Sequence, residues 1–206
     1  MSETVIKSRR EEYADTTRAA LLDAARAQFV ALGYNHVGVE AISRAARVTR
    51  GAFYHHFADK PALFEALVIQ LQDEALAKVT SAAAAKRDGA ARLTAATAAF
   101  LDVCVEPAYR RLVIEDAPAV LGAARCRQIE DATVFGAMVG ALQARHEAGH
   151  FDTPDPRLAG RMIASMLCEA ALQLPTAQDP ARMRTHALAV VAKVLAAFDP
   201  EPSAHA

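Results

Sequence analysis

The chain has 206 residues, 53% hydrophobic and 23% charged, with a formal net charge of −1. That length has room for a small domain joined to a larger one with its own core. The balance excludes a disordered chain and a polybasic nucleic-acid binder. Aromatics are only 6%, Trp is absent and alanine is abundant, which favours helices over strands. Residues 1–60 hold nine Lys/Arg against seven Asp/Glu, a balance of +2 that leaves −3 for the rest. So mild an asymmetry identifies no partner by itself. Cys104, Cys126 and Cys168 are an odd, widely spaced set without a C-x-x-C, which fits a reducing compartment and predicts a cytoplasmic protein. The start MSETVIKSRREEY has no apolar core of a secretory signal, and no stretch is apolar enough to span a bilayer.

In chain order, the first 12 or so residues read as a flexible arm. Leu21, Leu22, Ala25, Phe29 and Leu32 recur at helical spacing within a helix from about Asp15, which Gly33 ends. Tyr34–His36 is a turn. Short helices fit Glu40 to Ala46 and Arg50 to Phe57, the second N-capped by Thr49. Asp59 caps the next, with Pro61 in its first turn, and that helix runs to about Ala85. Asp88-Gly89 breaks the pattern before a helix from about Ala90 to Val103. Pro107 and Pro118 bracket a short helix, and a long one spans Ala123 to Ala148. Gly149 ends it ahead of the loop Phe151–Pro156. Helices over Arg157–Leu174 and Pro180–Phe198 complete the chain, and residues 200–206 read as a disordered tail. The fold class is therefore all-α, with about nine helices and no strand pattern.

Two short helices joined by a tight turn form a helix-turn-helix when one face of each is apolar. Val39, Ile42, Ala46, Val48 and Phe53 supply that face. The second helix then presents Thr49, Arg50, Ala52 and the tip of Tyr54 outward. Such a helix fits the major groove, where Arg50 could pair bidentately with guanine and a methyl of Thr49 or Ala52 could meet thymine. Tyr54, His55 and Lys60 are within reach of phosphates, which fix register. Periodicity alone leaves open a plain helical hairpin within a core.

The run from Val48 to Lys60 (VTRGAFYHHFADK), followed by Leu63, resembles the recognition-helix signature of the TetR (tetracycline-repressor) family. Upstream, Ala24, Phe29, Gly33 and Tyr34 resemble that family's first helix. Together these cover about a quarter of the chain. Val37 and Gly38 stand where the family usually has Thr and then Ser or Thr, and Arg47 stands where it often has a turn Gly. At a positive φ, a non-Gly residue there costs roughly 1 kcal/mol.

The resemblance implies a helix-turn-helix DNA-binding domain over residues 1–60 and a helical effector-binding and dimerising domain over 61–199. It implies a repressor released from a near-palindromic operator by a small molecule. The DNA-facing set would be Arg44, Arg47, Thr49, Arg50, Gly51, Ala52, Tyr54, His55 and Lys60. An effector cavity would be lined by residues such as Phe100, Cys104, Tyr109, Phe135, Met138, Met166 and Glu169, each of which also reads as ordinary core. The apolar stripes Leu158, Met162, Ser165, Met166 and Leu188, Val191, Val194, Leu195, Phe198 on the last two helices suggest a homodimer interface. They equally suit a subunit's own core.

Two motifs in the chain carry rival signals. His146-Glu-Ala-Gly-His150 matches the zinc-protease pattern H-E-x-x-H, which needs both histidines on one face of a continuous helix. Gly149 inside the motif reads instead as a helix C-terminus. The adjacent pair His55-His56 points about 100° apart on a helix, awkward for one ion. No catalytic residue, metal site or cofactor is expected. The competing functions are a small-molecule-metabolising helical enzyme and a helical interaction protein that does not bind DNA.

Overall fold

The computed structural model describes residues 9–200. The chain forms two compact units, Met1–Ile69 and Gln70–Ala206. All regular structure among the described residues is helical.

The first unit contains α1 (Arg9–Leu32), a 3₁₀ turn (Tyr34–His36), α2 (Val39–Ala45), α3 (Arg50–His56) and the start of α4 (Lys60–Ala84). Leu21, Leu22, Ala25 and Phe29 form the buried stripe of α1. They meet Ile42 from α2, Phe53 from α3, and Leu63, Phe64 and Leu67 from α4, all fully buried. Phe29, Tyr34 and Phe64 pack as an aromatic triad with centroids 4.9–5.7 Å apart. Gln28 Nε2 donates to Ala41 O at 3.0 Å, tying α1 to α2. α1 begins at Arg9, six residues before the start expected at about Asp15. Arg and Glu are good helix formers, so the helix extends without an apolar period to announce it. Residues 9–12, expected in the arm, are helical. The rest of that arm and residues 201–206 of the tail expected over 200–206 lie outside the described residues.

The second unit takes the rest of α4, then α5 (Gly89–Val105), α6 (Ala117–Val120), α7 (Ala123–Ala132), α8 (Val134–Glu147), α9 (Pro156–Gln173) and α10 (Pro180–Ala196). The described residues thus hold ten α-helices rather than about nine. α9 is central, packing against α5, α8 and α10. Asp88, Asp155 and Asp179 each cap the helix they precede by accepting backbone N–H bonds.

Two expectations fail in this unit. The segment expected as a short helix between Pro107 and Pro118 is a π-helical turn over Tyr109–Asp116, and Pro118 opens α6 instead of closing anything. Its charges suit that wider winding: Arg110 pairs with Glu115 at 2.6 Å and Arg111 with Asp116 at 3.3 Å, both five residues apart. The single helix expected over Ala123–Ala148 is broken at Thr133, whose φ −128 and ψ −126 are not helical. The Thr133 hydroxyl donates to Ile129 O at 2.7 Å, and the backbone of Gly136 sits so close to Asp131 that a Cβ there would lie 2.1 Å from its carbonyl oxygen.

Candidate nucleic-acid interface and effector cleft

The turn between α2 and α3 determines how α3 is displayed. Arg47 adopts φ 57, the one non-glycine among the described residues with positive φ. Arg47 N donates to Arg44 O at 3.1 Å and Val48 N to Ser43 O at 3.0 Å. This pair of bonds is a Schellman motif, which satisfies the last carbonyls of α2. The family's frequent turn glycine would sit at ease here, and Arg47 adopts the same conformation at a cost. Thr49 then caps α3, its hydroxyl accepting from Ala52 N at 3.1 Å.

α3 is pinned by Phe53, fully buried, and Phe57, nearly so, with centroids 5.9 Å apart. Seen around the helix, the side away from Phe53 is open: Thr49, Arg50, Gly51, Tyr54 and His55 are exposed and Ala52 is half-buried. Arg44 and Arg47 are exposed beside it. Arg50 lies over the Tyr54 ring, its carbon 5.5 Å from the centroid, and donates to the Tyr54 hydroxyl at 3.3 Å. That contact extends the guanidinium along the outer face of the helix. At Gly51 a Cβ would meet only the Thr49 hydroxyl, at 3.7 Å, so the fold leaves open space there.

Lys60 is placed differently from the other eight. Its ammonium donates to Tyr34 O at 3.0 Å and Val37 O at 3.1 Å, and sits 4.0 Å from the Tyr34 ring centroid. It holds the 3₁₀ turn, and burial lowers its pKa. His56 is half-buried, and its pKa is lowered by desolvation and then by the neighbouring His55 and Arg18 charges. His55 faces outward.

In the second unit a cleft of about 290 Å³ opens between α4, α5, the π-turn, α7, α8 and α9. Phe100, Tyr109, Phe135 and Glu169 of the expected cavity residues line it. Cys104 is fully buried, and Met138 packs instead on the cluster of Leu142, Phe151 and Ala159. Met166 does not border the cleft either. The pattern missed Gln72, Glu130 and Arg161, which add polar groups to the wall. Tyr109 donates to Gln72 Oε1 at 3.1 Å. Arg161 lies 4.1 Å from the Phe135 centroid and pairs with Glu130 at 3.0 Å and Asp131 at 2.9 Å. Arg157 also pairs with Asp131. Periodicity signals which residues face inward, but not which helices part to leave a gap.

Gly149, at φ 73, ends α8, and His146 Nδ1 lies 2.8 Å from Phe151 O in the loop beyond. His150 falls past the helix end, so the two histidines of the H-E-x-x-H pattern share no helical face. Among the described residues, no helix is long and apolar enough to cross a membrane.

The description "Bacterial regulatory proteins, tetR family" matches residues 21–67, and "Tetracyclin repressor-like, C-terminal domain" matches residues 90–198, more than half of the chain. The chain is 38% identical over 65 residues to the transcriptional regulator UidR of Escherichia coli, covering 32% of this chain and 33% of that protein. It is 39% identical over 71 residues to a transcriptional repressor of Mycobacterium tuberculosis, covering 34% and 37%. The chain thus aligns with only about a third of the length of these curated relatives. A solved TetR-family regulator from Pectobacterium atrosepticum is 28% identical, with a TM-score of 0.73, over 95% of this chain and all of that one. By the match to its C-terminal domain, together with the helix-turn-helix match, the chain belongs to the TetR family of bacterial regulators.

Proposed function

We propose that the protein is a sequence-specific DNA-binding transcriptional repressor, released from a near-palindromic operator by a small-molecule effector. The observation that carries this reading is the outer face of α3. Thr49, Arg50, Gly51, Tyr54 and His55 are exposed together on a helix whose opposite side is anchored by buried Phe53. Arg50 then reads guanine, Thr49 and Ala52 meet thymine methyls, and Arg44, Arg47, Tyr54 and His55 take phosphates. Lys60 supports the turn rather than the DNA. Gly51 lets the helix backbone come close to the duplex.

Domain roles follow the family, with residues 1–60 reading DNA and 61–199 binding effector and pairing subunits. A homodimer would supply the second recognition helix, spaced about 34–36 Å from the first, one DNA turn. Leu158 and Met162 on α9 are 56% and 62% exposed, and Val190 on α10 is 52% exposed, an apolar surface suited to a second copy. Val191 is buried, and Leu195 and Phe198 pack on the subunit's own cluster, so these three serve the core.

The effector occupies the cleft beside Tyr109, Phe135 and Glu169. Differential affinity for two states of the protein is what moves the operator equilibrium, by roughly 1–3 kcal/mol for typical coupling. The protein acts in the cytoplasm, where the DNA is, and performs no catalysis as a regulator.

Selection of bound fragments from a random duplex pool tests the reading. Enrichment of a near-palindrome with salt-dependent affinity is expected. Fragments without shared sequence, or no retention at moderate salt, would overturn it.

A further inference from the structure

The amide of Gln72 is held at one end only. Gln72, on α4, lines the cleft and is 2% exposed. Its Oε1 accepts from the Tyr109 hydroxyl at 3.1 Å, which fixes the orientation of the amide. Among the described residues its Nε2 makes no hydrogen bond. Nor is that nitrogen sealed away. Among the described residues, the fully buried side-chain polar atoms without a partner are Ser43 Oγ and Arg145 Nε. The N–H donors of Gln72 are thus left to the cleft, and donors at such depth call for an acceptor.

The charge of the wall limits what that acceptor can be. Arg161 is the one cation among the lining residues. Its terminal nitrogens already donate to Glu130 at 3.0 Å and Asp131 at 2.9 Å, and its guanidinium lies 4.1 Å from the Phe135 centroid. Glu130 and Glu169 are the lining anions, so the wall is net negative. A carboxylate entering the cleft would lose hydration, meet that field and find the cation engaged. An ammonium group fails at the other end, because it has no lone pair to accept from Gln72. A neutral carbonyl oxygen meets both conditions.

We propose that the cleft binds an uncharged, largely apolar molecule whose carbonyl oxygen accepts from Gln72 Nε2. This rests on the placement of the effector in the cleft, and it names the effector's class: a ketone, ester or amide on a hydrocarbon or aromatic body. Phe100, Ile114, Val134, Phe135 and Leu172 supply the apolar surface for that body. A volume of about 290 Å³ lies at the small end of ligand pockets, so the molecule is small. Tyr109 is a positioning residue. Burial raises its pKa well above the usual value, so the phenol keeps its proton and holds the amide oxygen away from the ligand. A site that donates to one ligand oxygen discriminates against analogues that lack it, since its own donor is then left unpaired.

The test uses the full chain and three naphthalene probes of similar shape: acetylnaphthalene, ethylnaphthalene and naphthoate, each titrated by calorimetry. Acetylnaphthalene should bind once per chain and about ten-fold tighter than ethylnaphthalene, the effect of one such hydrogen bond. Naphthoate should bind more weakly than either. In Q72L the acetyl and ethyl probes should bind equally. The infrared carbonyl stretch of acetylnaphthalene bound to wild type should lie below its value in hexane, as a hydrogen-bonded carbonyl requires. That measurement decides the matter even if Q72L does not fold. An unshifted stretch, naphthoate as the tightest probe, no binding by any probe, or a ketone preference that survives in folded Q72L would overturn the proposal. Operator binding by the same preparation, measured separately, distinguishes failure of this inference from failure of the regulator reading.

Discussion

The Tyr109 hydroxyl donates to Gln72 Oε1 across 3.1 Å, joining the first residue of the π-turn to α4 where both side chains are buried. Burial and the nearby Cys104, Cys168 and Glu130 raise the Tyr109 pKa well above its usual value, so the phenol stays a donor. Tyr109→Phe leaves the Gln72 oxygen buried without its partner. A loss of about 1–3 kcal/mol is expected, read as a lower Tm. A melt identical to wild type would show that this bond carries no stability.

Arg47 tests the strain in the helix-turn-helix. Its φ of 57 costs an L-residue about 1–2 kcal/mol, part of which glycine would return as extra freedom in the unfolded chain. Arg47→Gly should therefore stabilise the protein by roughly 0.5–1 kcal/mol in denaturant titration. It should also flatten the salt dependence of DNA binding if Arg47 contacts a phosphate, since each lost contact reduces the slope by about one. A destabilised variant would contradict the strain argument.

Gly51 separates stability from function. Nothing in the fold obstructs a methyl there, and alanine is worth about 1 kcal/mol over glycine inside a helix. Gly51→Ala should thus raise Tm while weakening operator affinity, because the methyl stands on the face turned to the duplex. Unchanged affinity would move the duplex away from this part of α3.

At Gly136 the fold is intolerant. A Cβ would lie 2.1 Å from the Asp131 carbonyl oxygen, a backbone atom that cannot simply rotate away. Gly136→Ala must shift the α7–α8 junction and with it Val134 and Phe135 in the cleft wall. A loss of about 1–3 kcal/mol, the usual range for overpacking, is expected by calorimetry. A variant as stable as wild type would show that the junction yields freely.

These sites also mark what the sequence makes visible. Short-range signals were legible because each works within a turn of helix: Thr49 caps α3, Asp59 accepts from Ala62 N at 2.7 Å to cap α4, and Gly149 turns the chain after α8. The apolar stripe of α1 likewise marks its buried face. What stayed hidden depends on contacts between distant segments. Thr133 breaks a run whose alanines and leucines read as one helix, and only the approach of Gly136 to Asp131 explains the break. The π-turn at Tyr109 is hidden because its residues also suit an α-helix. Lys60 looks like a free cation in sequence, yet two carbonyls of the first unit hold it. Within the cleft, aromatic Phe100, Tyr109 and Phe135 were foreseeable as inward residues. Arg161 and Glu130 were not, since their pairing across α9 and α7 leaves no local trace.

Sequence reading by the outer face of α3 is tested most sharply at Arg50. The measurement is the affinity of wild type and Arg50→Ala for the selected duplex and for single-base variants of it, at fixed salt, with folding checked by circular dichroism. The fully folded variant is expected to lose about 1–3 kcal/mol of discrimination at one base pair in each half-site. Equal discrimination by the two proteins at every position would contradict it.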